Sequence, residues 1–358
     1  MTAVNKSLAQ ANIKRRLLGF HPSCGICLER FVYLIISHPM TKLILDTDPG
    51  VDDAMAIAMA CAHPDLELVG LTTVFGNVSV EQATANALSL LEHFDHPSIP
   101  VIPGAAKPLV NQPLPFPDFV HGKDGLGNIN LPTAALTALN TTAAEFIVET
   151  CRTNSENVTL VAVGPLTNIA MALELEPALP SMVSGLVIMG GALDEPGNVS
   201  PVAEANFLAD PHAADQVLEH NWPAVIVGLD VTHRVMLYDS DLDLLANHGG
   251  RYGAVLRSAS RFYMDYYTST GAARDLPEPC CAMHDATALV YVVSPDLFTT
   301  TQGPARVADQ GIAAGQLILD RRGYKYLLDH WRNRASTAVC IGVDATRAKQ
   351  VFIDAVAR

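Results

Sequence analysis

The stretch that decides the fold, residues 42–63, reads KLILDTDPGVDDAMAIAMACAH. Its first six residues contain the apolar run Leu43-Ile-Leu45 and predict a short buried strand. A Pro49-Gly50 turn follows, and the alanine-rich run from Asp52 to His63 predicts a helix. A strand that passes through a tight turn into a helix is the repeating unit of an α/β fold.

The same alternation of strand-like and helix-like runs continues along the chain. Continuous apolar runs, such as residues 160–163 and 225–228, are typical of strands that are covered on both faces. We therefore predict an α/β fold in a single large domain, with a mainly parallel, Rossmann-like doubly wound sheet and helices on both faces. The strands are expected at Lys42–Thr47, Leu66–Val74, Ile99–Ile102, Val158–Val163, Gly185–Met189, Ala224–Leu229 and Ala338–Val343.

Composition narrows the possible functions. Of the 358 residues, 49% are apolar and 17% are charged, which predicts a sizeable core. The net charge of −14 repels phosphate backbones, so we expect no nucleic acid partner. The seven scattered cysteines do not form the pattern of a disulfide framework, and they fit a reducing cytoplasm.

The first 39 residues stand apart from this pattern. Their apolar run at residues 31–37 is short, follows the charged pair Glu29-Arg30, and lacks a small-residue cleavage site. We expect residues 1–39 to be an N-terminal extension, either a non-native start or disordered, with the domain beginning at Met40. No segment of the sequence is long and apolar enough to span a membrane.

Four aspartates lie within eight residues at the end of the first predicted strand: Asp46, Asp48, Asp52 and Asp53. In a doubly wound sheet, this end of the strands is where ligands bind. Helix capping accounts for one or two acids, but four crowded carboxylates repel one another unless a cation neutralises them. Oxygen ligands suit Ca²⁺, with Mg²⁺ as its rival, so the pattern favours a metal site over capping alone.

Two other functions remain open on this evidence. A phosphatase of the aspartate-nucleophile (HAD-like) class also has two aspartates one residue apart after a strand, as in Asp46-Thr-Asp48. Such enzymes then need Thr or Val two residues further on, where this chain has Gly50. A non-catalytic protein that binds ribose or a nucleoside would use acids to hold hydroxyls, but it would not need four of them together.

Residues 46–57 closely resemble the signature of the inosine–uridine-preferring nucleoside hydrolases. Four further motifs follow in the order expected for that family: Phe75-Gly-Asn77, His121-Gly-Lys-Asp-Gly-Leu126, Gly197-Asn198 leading to Glu204-Ala-Asn206, and His284-Asp285. The resemblance extends over about residues 41 to 356. It implies that residues 40–358 are a nucleoside hydrolase catalytic domain, which cleaves the N-glycosidic bond of a small-molecule ribonucleoside to give ribose and the free base in purine and pyrimidine salvage.

The resemblance also implies roles for individual residues. One Ca²⁺ per chain would be held by the carboxylates of Asp48, Asp53 and Asp285 and by the main-chain carbonyl of Val163. Asp48 would be the general base for a calcium-bound water, and Asn77 would orient the acids. The ribose hydroxyls would be bound by Asp52, Asn198, Glu204 and Asn206.

On the side of the base, the resemblance makes His284 the proton donor and His121 either a contact with the base or a surface residue of its loop. A histidine suits proton donation near neutral pH, and an anionic pocket stabilises the oxocarbenium-like transition state of glycoside cleavage. Tyr263, Tyr266 and Tyr267 either close over the base or pack as a helix stripe on the core. The sequence does not determine purine or pyrimidine preference, and family resemblance alone predicts a homodimer or homotetramer.

Overall fold

The computed structural model describes residues 40–271, 276–327, 329–331 and 334–358. Residues 1–39, which were expected to be an N-terminal extension, lie outside the described ranges. Thr41–Arg358 form one compact unit. None of the helices in the described part of the chain combines the length and the hydropathy that a bilayer-spanning helix needs.

The described residues form a sheet of nine strands and a second sheet of two. The large sheet contains β1 Thr41–Thr47, β2 Leu66–Thr73, β3 Val101–Pro103, β4 Val158–Ala162, β5 Gly185–Met189, β6 Ala224–Val227, β9 Phe298–Val307, β10 Leu317–Leu319 and β11 Ser336–Val343. The small antiparallel sheet pairs β7 Met236–Tyr238 with β8 Cys280–Ala282.

The order of the strands confirms the doubly wound sheet. It runs β10-β9-β11-β6-β5-β4-β1-β2-β3, so the first six strands have the Rossmann order 3-2-1-4-5-6. Pairing is parallel from β3 through to β11, and only β9 runs antiparallel to its neighbours β11 and β10.

The helices lie between these strands. They are α1 Val51–Ala62, α2 Val80–His93, α3 Asp118–His121, α4 Ala143–Thr153, α5 Thr167–Leu175, α6 Ala205–Ala209, α7 Pro211–Glu219, α8 Leu229–Thr232, α9 Asp239–His248, α10 Gly250–Thr270, α11 His284–Val293 and α12 Ala345–Val356. The predicted strand at residues 224–229 was too long, because the chain turns into α8 after Gly228.

Helices cover both faces of the sheet, as predicted. Alternate residues of β1 point to opposite faces, so that Leu43 and Leu45 belong to one apolar core and Ile44 to the other. The first core contains residues of α1, α2, α10, α11 and α12, and the second contains residues of α4, α5 and α7. The strands of such a sheet read as continuous apolar runs, since both of their faces are buried.

The topology brings distant parts of the chain to one edge of the sheet. β1 and β4 are parallel neighbours, with Asp46 opposite Ala162, so Asp48 and Val163 both follow the carboxyl ends of adjacent strands. This is the point where the strand order reverses, which is the usual ligand site of the fold. The β7–β8 pair then places the start of α11 beside α8.

Candidate active site

Four buried carboxylates meet at this edge. Asp48 lies in the turn after β1, Asp52 and Asp53 lie in the first turn of α1, and Asp285 is the second residue of α11. The Asp53 carboxylate accepts hydrogen bonds from the backbone N–H groups of Gly50 (2.9 Å) and Asp48 (3.2 Å). The turn is therefore folded around Asp53, and the acids are held close together.

The donor set fits a hard cation. Asp52, Asp53 and Asp285 each place one carboxylate oxygen within 4.8 Å of the others. The Oδ1 atoms of Asp48 and Asp52 are buried and lack a hydrogen-bond partner among the described residues. In the part of the chain that the structure describes, no lysine or arginine pairs with any of the four acids. Buried carboxylate oxygens without a donor are costly, and a cation with oxygen ligands removes that cost.

The pKa values of the four acids also favour a bound cation. Burial raises the pKa of Asp48, Asp52, Asp53 and Asp285 above the usual range. Repulsion from Asp53 raises the pKa values of Asp48 and Asp52 further, and repulsion from Asp52 does the same for Asp285. A bound cation opposes both effects and favours the ionised carboxylates.

Asn77 ties the acids to the loop after β2. Its backbone N–H donates to Asp48 Oδ2 (2.6 Å), and its side-chain Nδ2 donates to Asp53 Oδ2 (3.0 Å). The neighbouring Gly76 allows this approach, since a Cβ at that position would lie 2.0 Å from Asp48 Oδ2. A Cβ at Gly164 would likewise lie 2.7 Å from Asp48 Oδ1. Two glycines thus leave room for the Asp48 carboxylate.

Asp46, the remaining acid of the motif, is bound within the sheet. Its Oδ1 accepts from the hydroxyl of Thr72 and from Nδ2 of Asn168 (2.7 Å). The same Asn168 nitrogen donates to the Thr73 carbonyl (3.0 Å). Burial raises the pKa of Asp46 to about 7, despite the lowering effect of these two side-chain donors. Asp46 therefore joins adjacent strands behind the cluster.

Three polar side chains of the predicted site come from the segment before and within α6. The buried Glu204 accepts from the backbone N–H of Gly191 (2.9 Å) through Oε2. Asn206 Nδ2 donates to the carbonyl of Val163 (2.9 Å), which follows β4. Asn198 Oδ1 accepts from the N–H of Ala205 (3.1 Å). Glu204 and Asn206 are thus held at the carboxyl ends of β4 and β5.

His121, at the end of α3, is buried against the acidic turn. Its Nδ1 accepts from the backbone N–H of Val51 (3.2 Å) and lies 3.9 Å from Asp52 Oδ1. The ring stacks on Tyr263 with 5.4 Å between ring centroids. Burial lowers the pKa of His121 to about 3. Because a backbone N–H can only donate, the neutral ring carries its hydrogen on Nε2.

His284, the first residue of α11, lies between two hydroxyls. The Tyr267 hydroxyl is 2.8 Å from Nε2, and the Thr232 hydroxyl is 2.7 Å from Nδ1. Burial lowers the pKa of His284 well below its usual value, and the neighbouring His233 and His121 lower it further. The ring of His233 meets that of His284 edge to face at 5.4 Å.

Comparison with known proteins decides the family. The family described as inosine-uridine preferring nucleoside hydrolase matches residues 43–350. Uridine nucleosidase 1 of Arabidopsis thaliana is 42% identical over 280 residues, which are 78% of this chain and 82% of that protein. The chain belongs to the inosine-uridine preferring nucleoside hydrolase family.

Solved structures of nucleoside hydrolases share the fold. The plant nucleoside hydrolase PpNRh1 has a TM-score of 0.84 and 35% identity, over 89% of this chain and 99% of that one. A purine-preferring ribonucleoside hydrolase from Gardnerella vaginalis has a TM-score of 0.80 and 32% identity, over 88% and 98% of the two chains. The protein is thus an enzyme that acts on nucleosides, which decides against both the phosphatase and the non-catalytic binding protein.

The hydrolase brings most of the predicted site residues to one edge of its sheet, whereas Asn198 is exposed and contacts the backbone of Ala205. The grouping of acids contains Asp52 beside Asp53 and Asp285, whereas the sequence predicted Asp48 as the third carboxylate ligand and Asp52 as a ribose contact. His121 is buried, with 6% of its surface exposed, so the surface alternative for it is wrong. The tyrosines of α10 divide: Tyr263 and Tyr267 contact the two histidines, while Tyr266 packs against Phe119.

Sequence reasoning missed the contribution of α8 to this nucleoside hydrolase. The carboxylate of Asp230 accepts from the backbone N–H groups of Leu193 (2.8 Å) and Asp194 (2.7 Å), and Thr232 contacts His284. A signal was available. Asp230 directly follows the apolar run of residues 224–229, which is similar to the pattern that drew attention to the acids after the first strand.

Proposed function

We propose that this enzyme hydrolyses the N-glycosidic bond of ribonucleosides to ribose and free base, using a water activated by Asp48 beside a bound calcium ion. The observation that carries the proposal is the cluster of four buried acids without a cationic side-chain partner among the described residues. Two of its oxygens, on Asp48 and Asp52, have no hydrogen-bond donor in the described part of the chain.

One Ca²⁺ per chain would be held by Asp48, Asp53, Asp285 and the carbonyl of Val163. When bound, calcium supplies Lewis-acid activation of water near neutral pH and a template for the ribose hydroxyls. Calcium is preferred to Mg²⁺ because a site built from several carboxylates and a carbonyl provides the larger, flexible shell of oxygens that it takes.

Asp48 is proposed as the general base because its two oxygens differ. Oδ2 accepts from the N–H of Asn77 at 2.6 Å, whereas Oδ1 is buried and has no hydrogen-bond partner within the described ranges. Oδ1 can therefore accept a proton from an attacking water, while Asn77 keeps the carboxylate oriented. The remaining acids stabilise the positive charge that develops on the ribose in the transition state.

The ribose hydroxyls would be bound by Asp52, Asn198, Glu204 and Asn206. Oδ1 of Asp52 is the best placed to accept from a hydroxyl, because none of the residues that the structure describes donates to it. Polar groups that are built to pair with hydroxyls discriminate strongly against substrates that lack them. We therefore expect ribonucleosides to be preferred over 2′-deoxyribonucleosides.

The base would lie on the side of His121 and His284. The Nε2–H of His121 can donate to an acceptor on the base, since its Nδ1 is bound to the backbone. His284 would assist departure of the base together with the Tyr267 hydroxyl that contacts it. Tyr263, stacked on His121, would pack beside the base.

We infer that uridine is a better substrate than inosine. The relative named a uridine nucleosidase is 42% identical to this chain, and the match named purine-preferring is 32% identical. Such an enzyme would serve nucleoside salvage in purine and pyrimidine metabolism.

We also propose that the enzyme is a cytoplasmic homodimer or homotetramer. The five described cysteines are all free, which suits a reducing compartment, and light scattering would test the assembly.

The test is an activity panel of uridine, cytidine, inosine and adenosine. The protein is assayed as purified, after chelation, and after addition of calcium or magnesium. We expect release of ribose without inorganic phosphate, loss of activity on chelation, and recovery with calcium. Dependence on phosphate would instead identify a phosphorylase, and full activity in verified metal-free protein would rule out the calcium assignment. A higher kcat/KM for inosine than for uridine would contradict the proposed preference.

A further inference from the structure

Helix α8 is held from two sides, which fixes the position of Thr232. On one side, Asp230 binds the backbone of the loop after β5. On the other, β7 pairs with β8, and the N–H of Met283 donates to the carbonyl of Val235 (3.1 Å). The side chain of Thr232 is thereby placed 2.7 Å from Nδ1 of His284.

The direction of this hydrogen bond follows from burial. Thr232 is 0% exposed, so its hydroxyl hydrogen cannot reach water. Within the described part of the chain, His284 Nδ1 is the sole acceptor that the hydroxyl contacts. A buried hydroxyl hydrogen without an acceptor costs free energy, and buried donors are therefore almost always paired. Thr232 must donate to Nδ1, which leaves the ring hydrogen on Nε2.

We propose that Thr232 is a positioning residue that sets the tautomer of His284 for departure of the base. This inference rests on the proposed function, in which His284 and Tyr267 act on the leaving base. With its hydrogen on Nε2, His284 donates to the oxygen of Tyr267 at 2.8 Å. The hydrogen of the Tyr267 hydroxyl is then available to an acceptor on the base. In the opposite tautomer Tyr267 would have to donate to Nε2, and it would have no hydrogen left for the base.

The experiment separates help with the leaving group from all other steps. Thr232→Val keeps the shape of the side chain and removes the donor, whereas Thr232→Ser keeps the donor. Each variant is assayed on uridine and on p-nitrophenyl β-D-ribofuranoside, whose phenolate leaves readily without a proton. We expect Thr232→Val to lower kcat on uridine by about 10- to 100-fold, by analogy with the loss of a hydrogen-bond partner that orients a metal-bound histidine. The kcat on the nitrophenyl riboside and the KM for both substrates should change by less than about threefold, and Thr232→Ser should restore most of the uridine activity.

Thr159→Val is the matched control. Thr159 is 8% exposed, and its hydroxyl is 3.0 Å from that of Ser184 at the opposite end of the sheet. Thr159→Val should leave the activities on uridine and on the nitrophenyl riboside unchanged. Equal losses on the two substrates for Thr232→Val, or no loss on uridine, would overturn the proposal. If Thr232→Val does not fold, Thr232→Cys takes its place under the same criteria, since a thiol is only a weak donor. Wild-type protein that hydrolyses neither substrate would contradict the proposed function itself.

Discussion

The proposed chemistry depends most on one residue, Asp48. It is 1% exposed, and one of its oxygens is bound by Asn77 while the other has no partner among the described residues. Repulsion from Asp53 and Asp52 raises its pKa in addition to the effect of burial. Asp48 is therefore held in an unfavourable environment that a bound cation would relieve.

Replacement of Asp48 by Asn should affect activity and stability in opposite directions. We expect kcat to fall by at least about 10²–10⁴-fold, the usual contribution of a general base, because the amide cannot accept the proton. In calcium-free protein the unfolding midpoint should rise, since one of several mutually repelling buried acids is removed. Steady-state kinetics and thermal unfolding in a chelator measure the two effects. The exposed Asp354→Asn is the control. Near-normal turnover would show that Asp48 is not the base.

Among the secondary-structure elements, helix α2 holds two loops of the site in place. Asn86 of α2 is 5% exposed, and its Nδ2 donates to the carbonyls of Pro49 (3.0 Å) and Asp124 (2.8 Å). One side chain thus connects the acidic turn with the loop that follows His121. This arrangement keeps the histidine against the turn.

Replacement of Asn86 by Ala should therefore loosen the loop after α3. We expect the free energy of unfolding to fall by about 1–3 kcal/mol, because buried carbonyls lose their donor. The KM for uridine should rise more than kcat falls, as His121 would contact the base and not the reacting ribose. Gln82→Ala removes only the bond from Gln82 to Asn86 Oδ1 (2.8 Å) and serves as the control. A fall in kcat with an unchanged KM would contradict this role.

The strands of the sheet differ in how well they can be predicted from their sequences. The parallel strands β1, β4 and β5 were predicted because each contains a run of apolar residues, as expected when both faces are buried. β9 was missed. Its first half is largely exposed and reads FTTTQ, so no apolar run marks it. β10 has only three residues and pairs with β9 through antiparallel contacts that a local pattern does not encode.

For the whole molecule, metal binding should be coupled to stability. The site joins the start of α1 to the start of α11, which are far apart in sequence, so a ligand bound there favours the folded chain. Calcium at 100 times its dissociation constant should stabilise the protein by about 2.7 kcal/mol. We expect a chelator to lower the unfolding temperature and calcium to restore it. An unfolding temperature that is indifferent to chelation, with metal content verified before and after, would count against the site.

The unit from Thr41 onward should be sufficient for folding and activity. It forms one compact unit, and the family match lies within it at residues 43–350. We expect a protein that begins at Met40 to retain the kcat/KM and unfolding temperature of the full chain to within error. A shortened protein that is insoluble, or soluble and inactive, would show that residues 1–39 contribute to the enzyme.

The sequence by itself determined what depends on neighbours along the chain. The strand, turn and helix of residues 41–62 place Asp48, Asp52 and Asp53 together, because a turn of a few residues leaves their relative positions little freedom. The same applies to the alternation of strands and helices, which follows from local apolar runs. The resemblance then extended these local patterns to the metal ligands, the ribose contacts and the two histidines.

Only the tertiary structure decided which distant side chains meet. Asn86 fastens the loop after His121, and Thr232 and Tyr267 contact the two nitrogens of His284. These contacts are set by the strand order and by the β7–β8 pairing, which depend on packing over the whole chain. A hydroxyl beside an imidazole leaves no periodic signal in a sequence. The direction of the hydrogen bond between Thr232 and His284 can be inferred only from the structure, in which burial leaves the hydroxyl no other acceptor among the described residues.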